Sequence, residues 1–149
     1  MKQKKSIFIK KAIPEDANKL LELNRKYNGE ENINEDVSRI EKILEENKNE
    51  IVFVAVSDDS LVGFVCVQVY RSFCYSRPAL EITDLYVEKE MRRQNAATLL
   101  IQEVLKFAVQ ENVLEINLRV NKNNTTAINF YKSVGLEEAN HLVFRKRFF

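Results

Sequence analysis

The chain has 149 residues, enough for one domain with a substantial core, and its 45% hydrophobic and 30% charged composition is that of an ordinary soluble globular protein. A formal net charge of +1 does not point to nucleic-acid binding, and no run approaches the roughly 20 apolar residues of a membrane span. Two cysteines and one histidine argue against both a disulfide framework and a zinc set, so no metal is expected.

Ser6 to Ala12 ("SIFIKKA") mixes β-branched and aromatic residues and predicts a first strand. The "MKQKK" start leads into that strand rather than into an apolar signal core, which makes the cytoplasm the expected address. Pro14-Glu15-Asp16 opens a helix, since proline is tolerated in a first turn and acids there suit the helix dipole. Ala17, Leu20, Leu21 and Leu23 give it an apolar side up to about Tyr27, and Asn28 to Asn34 is turn-like. Val37, Ile40, Ile43 and Leu44, spaced by three or four, predict a second helix.

Two β-rich runs then flank Asp58-Asp59-Ser60, a hairpin signal. Cys66 lies inside the second run and reads as a buried structural thiol. A loop from Phe73 to Pro78 follows, then "ALEITDLYV" (Ala79 to Val87), apolar on both faces and so expected inside the sheet. Residues 94–112 carry the strongest helical stripe, through Ala97, Leu100, Val104, Leu105 and Ala108. Leu114 to Val120 alternates like a strand, and Asn124 to Val134 reads as a helix with a cap at its start and Gly135 at its end. The tail "HLVFRKRFF" reads as a last strand. The expected fold is α/β (α+β): one domain, 1–149, with a mixed, mostly antiparallel central sheet flanked by helices.

Charge is unevenly spread. Residues 15–50 hold six basic and eleven acidic side chains, net −5, and residues 91–149 hold nine basic and five acidic, net +4. Opposite signs on two regions suit a cationic substrate and an anionic cofactor, although solvated helix faces account for most single charge runs.

Two stretches bear on chemistry. "MRRQNAATLL" places Arg92 and Arg93 between a strand and a helix N-terminus, where unpaired N–H groups and the dipole favour an anion. "NNTTAINFYKSVGL" spaces Asn124, Ala127, Tyr131, Gly135 and Leu136 along a turn and helix about 30 residues later. Together, and in this order of elements, they resemble the GCN5-related N-acetyltransferases (GNAT). These transfer acetyl from acetyl-coenzyme A to an amine. The family's pyrophosphate loop, Arg/Gln-x-x-Gly-x-Gly/Ala, is matched at Arg92, Asn95 and Ala97, and the later motif at the five residues just named.

The resemblance implies roles by position. Backbone N–H groups of the loop through Arg92, Arg93, Gln94, Asn95, Ala96, Ala97 and Thr98 would bind the cofactor pyrophosphate. The backbone of Leu85, Tyr86 and Val87 would pair with the pantetheine arm, Asn124 would contact the cofactor, and Tyr131 would protonate the leaving thiolate. Without the family, Asn124 reads as a helix cap and Tyr131 as a packed aromatic. A carboxylate on the central strand would take the amine proton. Glu81 and Asp84 are both available, Glu81 as base with Asp84 binding the substrate ammonium or serving as the alternative base. Three residues apart, they fall on opposite faces of a regular strand unless a bulge re-aims one. An Arg such as Arg119 is an alternative partner for either.

Phe73, Cys74 and Tyr75 lie where such proteins often build part of the acceptor pocket. Direct transfer needs no cysteine nucleophile, and His141 reads as structural. Arg93 and Asn95 stand where the family has glycine, which serves where backbone must take φ > 0. Asparagine tolerates that region next best, and Arg93 would turn its side chain outward to the adenosine 3′-phosphate. The expected partner is a small-molecule or peptide amine, with no nucleic acid and no membrane, and a homodimer is common among such proteins. A cofactor-binding module without turnover is the alternative that the missing glycines favour.

Overall fold

The computed structural model describes residues 5–29, 36–46 and 48–149. Two compact units divide the chain, one ending at Arg119 and the other running from Val120 to Phe149. The first holds a five-stranded sheet with its strands in chain order: β1 (Ile7–Lys11), β2 (Glu50–Ser57), β3 (Ser60–Tyr70), β4 (Ala79–Val87) and β5 (Ile116–Leu118). Neighbours are antiparallel up to β4, and β5 runs parallel to β4. Asp58 and Asp59 close the β2–β3 hairpin with φ of 50° and 60°, the left-handed conformations that a tight two-residue turn demands and that Asp tolerates.

Each face of the sheet is covered, which is why β2 is buried along nearly its whole length. On one face Val52, Val54, Val56 and Phe64 meet Leu20 and Leu23 of helix α1 (Ala17–Asn28), with Ile40 and Leu44 of α2 (Val37–Glu46) packed against them. On the other face Phe53 packs edge-on against Phe107 of α3 (Ala96–Gln110), 5.8 Å between ring centres. Leu100, Ile101 and Val104 of α3 are fully buried.

The predicted opening of α1 divides in two. Pro14–Asp16 is a single 3₁₀ turn, and Asp16, only 8% exposed, accepts the Ile13 N–H at 2.9 Å and pairs with Lys10 at 2.7 Å. Gly29, at φ 82°, ends α1, and the rest of the predicted turn, residues 30–34, lies outside the described residues. The strand predicted over 114–120 shortens to three residues because β4 offers it partners only at Leu80, Glu81 and Ile82.

The second unit has one helix, α4 (Thr125–Ser133). The strand expected in "HLVFRKRFF" does not form: residues 137–149 carry no regular secondary structure. Apolar and aromatic residues suit a strand but do not supply its ladder partner, and this unit contains no strand to pair with it.

Candidate functional site

The two carboxylates of β4 are brought together by an irregularity. Against β3, Ile82 pairs with Val67 but Asp84 pairs with Cys66, so Thr83 is an extra residue. Its hydroxyl donates to the Cys66 carbonyl oxygen at 3.3 Å. Glu81 pairs with Gln68 and Asp84 with Cys66, and these β3 residues are two apart, on one face. A regular strand would separate Glu81 from Asp84. The bulge puts both on the face that α1 and α2 cover, where Glu50 also pairs with Gln68.

Their surroundings differ. Glu81 lies 3.7 Å from Arg119, the arginine partner weighed from sequence. Asp84 is half-buried and forms no ion pair among the described residues. It faces the thiol of Cys66, which burial, then the Asp84 and Glu50 charges, hold well above its ordinary range, as suits a structural cysteine. Cys74 is exposed, as are Phe73 and Tyr75, and Arg77 ties the end of their loop down by donating to the Asn112 and Val113 carbonyls at 3.0 and 2.7 Å.

Tyr27 is the residue that sequence reasoning missed. From the last turn of α1 its ring sits 6.0 Å from Phe64 and 5.9 Å from Tyr86. Burial first, then the charge and hydrogen bonding of Asp84, raise its phenol pKa. Its position four residues beyond Leu23 on an apolar stripe was the available signal.

Among the described residues the β5-facing edge of β4 has no strand partner beyond Ile82, while its β3 side stays paired through Val87. The backbone of Thr83 to Val87 is therefore open to an extended ligand on that edge. The Val87 carbonyl there already accepts from Arg92 Nε at 3.1 Å, and the same guanidinium lies 6.0 Å from the Tyr86 ring centre. Lys26 bridges α1 to Glu88 at 2.6 Å, beside a cavity of about 330 Å³ lined by Lys26, Tyr86, Glu88, Lys89, Glu90 and Arg92.

The turn ahead of α3 takes an unusual backbone shape. Arg93 has φ 65° and Asn95 φ 67°. Both positions where glycine was expected are left-handed, occupied by residues with side chains. The first bond inside α3 is from the Leu99 N–H to the Asn95 carbonyl, so the N–H groups of Ala96, Ala97 and Thr98 lie in the first turn, where intrahelical acceptors are lacking. This is the concave backbone and dipole arrangement that accommodates an anion. Helix α3 begins at Ala96 rather than at 94 because those left-handed residues cannot be helical. Gln94 donates to the Glu90 carbonyl at 3.2 Å, and the Arg93 side chain is exposed.

Left-handed backbone costs an ordinary residue about 1–2 kcal/mol, partly offset by the entropy glycine loses on folding. Arg93→Gly is therefore expected to stabilise the protein by about 0.5–1 kcal/mol, read as a thermal midpoint about 2 °C higher. A lower midpoint would mean that contacts of the arginine outweigh the strain.

In the second unit the later motif has a local structural meaning. Asn124 caps α4, accepting the Ala127 N–H at 3.1 Å. At the other end Gly135, at φ 96°, lets its own N–H reach the Lys132 carbonyl at 3.2 Å and the Leu136 N–H reach the Tyr131 carbonyl at 3.0 Å. Tyr131 is half-buried, with its ring edge-to-face on Phe130 at 5.2 Å.

Among the described residues no cluster of His, Cys, Asp or Glu could hold a metal ion, and no helix is long and apolar enough to cross a membrane.

Residues 17–136 match the model of the acetyltransferase (GNAT) family. N-acetyltransferase 8 of Homo sapiens is 28% identical over 109 residues, 73% of this chain and 48% of that protein. An uncharacterised N-acetyltransferase of Methanocaldococcus jannaschii is 32% identical over 87 residues, 58% of this chain and 38% of that protein. The chain thus spans about half the length, or less, of these curated relatives. Among solved structures, an aminoglycoside acetyltransferase from an uncultured soil metagenomic sample superposes with a TM-score of 0.78 at 24% identity, covering 95% of this chain and 97% of that one. A ribosomal-protein-alanine N-acetyltransferase from Brucella melitensis biovar Abortus reaches 0.82 at 20% identity, covering 96% and 99%. At these identities the likeness establishes the fold.

Proposed function

The chain belongs to the GNAT family of acetyltransferases, and on that premise we propose that residues 1–149 act as one N-acetyltransferase domain, moving acetyl from acetyl-coenzyme A to a primary amine by direct attack. What carries the reading is the backbone from Arg92 to Thr98. Two residues other than glycine hold the left-handed shape ahead of α3, and that shape leaves N–H groups aimed where a pyrophosphate would lie. The open edge of β4 from Thr83 to Val87 suits the pantetheine arm, and Arg93 is free to turn toward the 3′-phosphate. Asn124 is assigned to the cofactor from the motif, in addition to capping α4.

The residues divide the chemistry. The amine nitrogen forms a bond to the acetyl carbon as the carbon–sulfur bond breaks. Its proton goes to a β4 carboxylate, directly or through water, and the Tyr131 hydroxyl gives a proton to the departing sulfur. Glu81 and Asp84 share one face for this work, Glu81 as the base and Asp84 as ammonium binder or alternative base. Three carboxylates on or beside that face, with the acidic 15–50 segment, favour a cationic small-molecule or peptide acceptor.

Thermal shift with acetyl-coenzyme A, followed by thiol release against a panel of amines, tests the proposal. The expected result is a higher melting temperature and turnover on at least one amine. No stabilisation would sink the cofactor assignment, and stabilisation without turnover on any amine would mark a binding module instead.

A further inference from the structure

A cavity of about 610 Å³ takes no part in the acetyl-transfer reading. It opens where β1 and β3 end and β2 begins, beside Phe107 and Glu111 at the far end of α3. Neither β4 nor the turn through Arg93 and Asn95 lines it, and Phe107 is about 18 Å along the helix from that turn. Its floor is apolar. Ile51 is 4% exposed, Val69 and Phe107 are half-buried, and Lys11 joins them on the face of the sheet that α3 covers.

The rim carries Lys11, Lys48 and Arg71, all exposed, and none of the three has an ion pair or side-chain hydrogen bond among the described residues. The neighbouring Lys10, on the opposite face of β1, is paired with Asp16. The rim is held in place, since the Val69 N–H donates to the Asn49 carbonyl at 2.7 Å and ties the approach to β2 to the end of β3. Against three cations stand only Glu111 and the negative end of the α3 dipole, both on the helix side. The strand side is therefore the electropositive one.

We propose that this cavity is a second ligand site, for a small organic anion. Its carboxylate sits among Lys11, Lys48 and Arg71, and a flat apolar body lies on Ile51, Val69 and Phe107. The volume is that of a small-molecule site, and the Arg71 fork can take both carboxylate oxygens while the lysines act as point charges. Glu111 fixes the orientation by repelling the carboxylate from the helix end.

Titration with sodium 2-naphthoate, followed by amide NMR shifts, reads both place and affinity, and 2-naphthamide is the neutral control. The wild type is expected to bind naphthoate with a Kd of about 1 mM or tighter, with saturable shifts at Ile51, Val69 and Phe107. The amide should bind at least about fivefold more weakly. Arg71→Gln should weaken naphthoate about tenfold and Lys11→Gln about threefold, whereas Glu111→Gln should tighten it about threefold. These are exposed positions, so the melting temperatures should stay unchanged. Excess acetyl-coenzyme A should leave the naphthoate affinity as it was. Absence of saturable shifts at the floor, equal affinity for the amide, or unchanged affinity in both cation variants would each overturn the site. Displacement by acetyl-coenzyme A would place the anion in the turn ahead of α3 and overturn it as well.

Discussion

Tyr131→Phe is expected to lower kcat about a hundredfold to a thousandfold while leaving the KM for acetyl-coenzyme A within about twofold. The Phe130 contact at 5.2 Å is made by the ring, and the helix end uses the Tyr131 backbone carbonyl, so the substitution keeps both. If the proposed role is right, the loss appears only when the thiolate leaves, which is a transition-state interaction rather than a binding one. Steady-state kinetics with both substrates varied separates the cases. Equal losses in kcat and in cofactor affinity would show that the hydroxyl only binds or packs.

The second large effect is structural in origin. A Cβ added to Gly63 would stand 2.7 Å from the Tyr86 carbonyl oxygen and 3.1 Å from Val87 Cγ2. The first contact is with backbone, which has no rotamer to yield, so β4 itself must shift away from β3. Gly63→Ala is expected to cost about 1–3 kcal/mol, a melting temperature several degrees lower. The displaced residues, Tyr86 and Val87, lie on the strand segment assigned to the pantetheine arm, and the Val87 carbonyl also anchors Arg92. Acetyl-coenzyme A affinity should therefore fall about tenfold or more, whereas Ser60→Ala on the same hairpin, an exposed site, should change neither quantity. Thermal melts with a cofactor titration read both. Unchanged affinity in a destabilised Gly63→Ala would remove this end of β4 from the cofactor site.

Both predictions depend on features of different legibility. The spacing from Asn124 through Ala127, Tyr131 and Gly135 to Leu136 is visible in the chain and becomes one capped helix with a left-handed stop. Likewise the apolar stripe through Leu100, Val104 and Ala108 places α3, and Asp58-Asp59 places the hairpin. The acidic pair is another matter. Glu81 and Asp84 count as opposite faces on any regular strand, and nothing in "ALEITDLYV" announces that Thr83 is the extra residue. In the tail the apolar and aromatic residues suit a strand but none forms, because a strand also needs a neighbour.

The sequence alone determined most of the element types, the turn chemistry and the family, because helix period, caps and tight turns are set by residues within about four positions of one another. Only the tertiary structure decided that Arg93 and Asn95 both accept glycine's backbone shape, that a bulge gathers two carboxylates on one face, and that Tyr27 packs over Phe64 and Tyr86. The bulge depends on the register between β3 and β4, where one residue's slip reverses every side chain, and no local pattern encodes that choice.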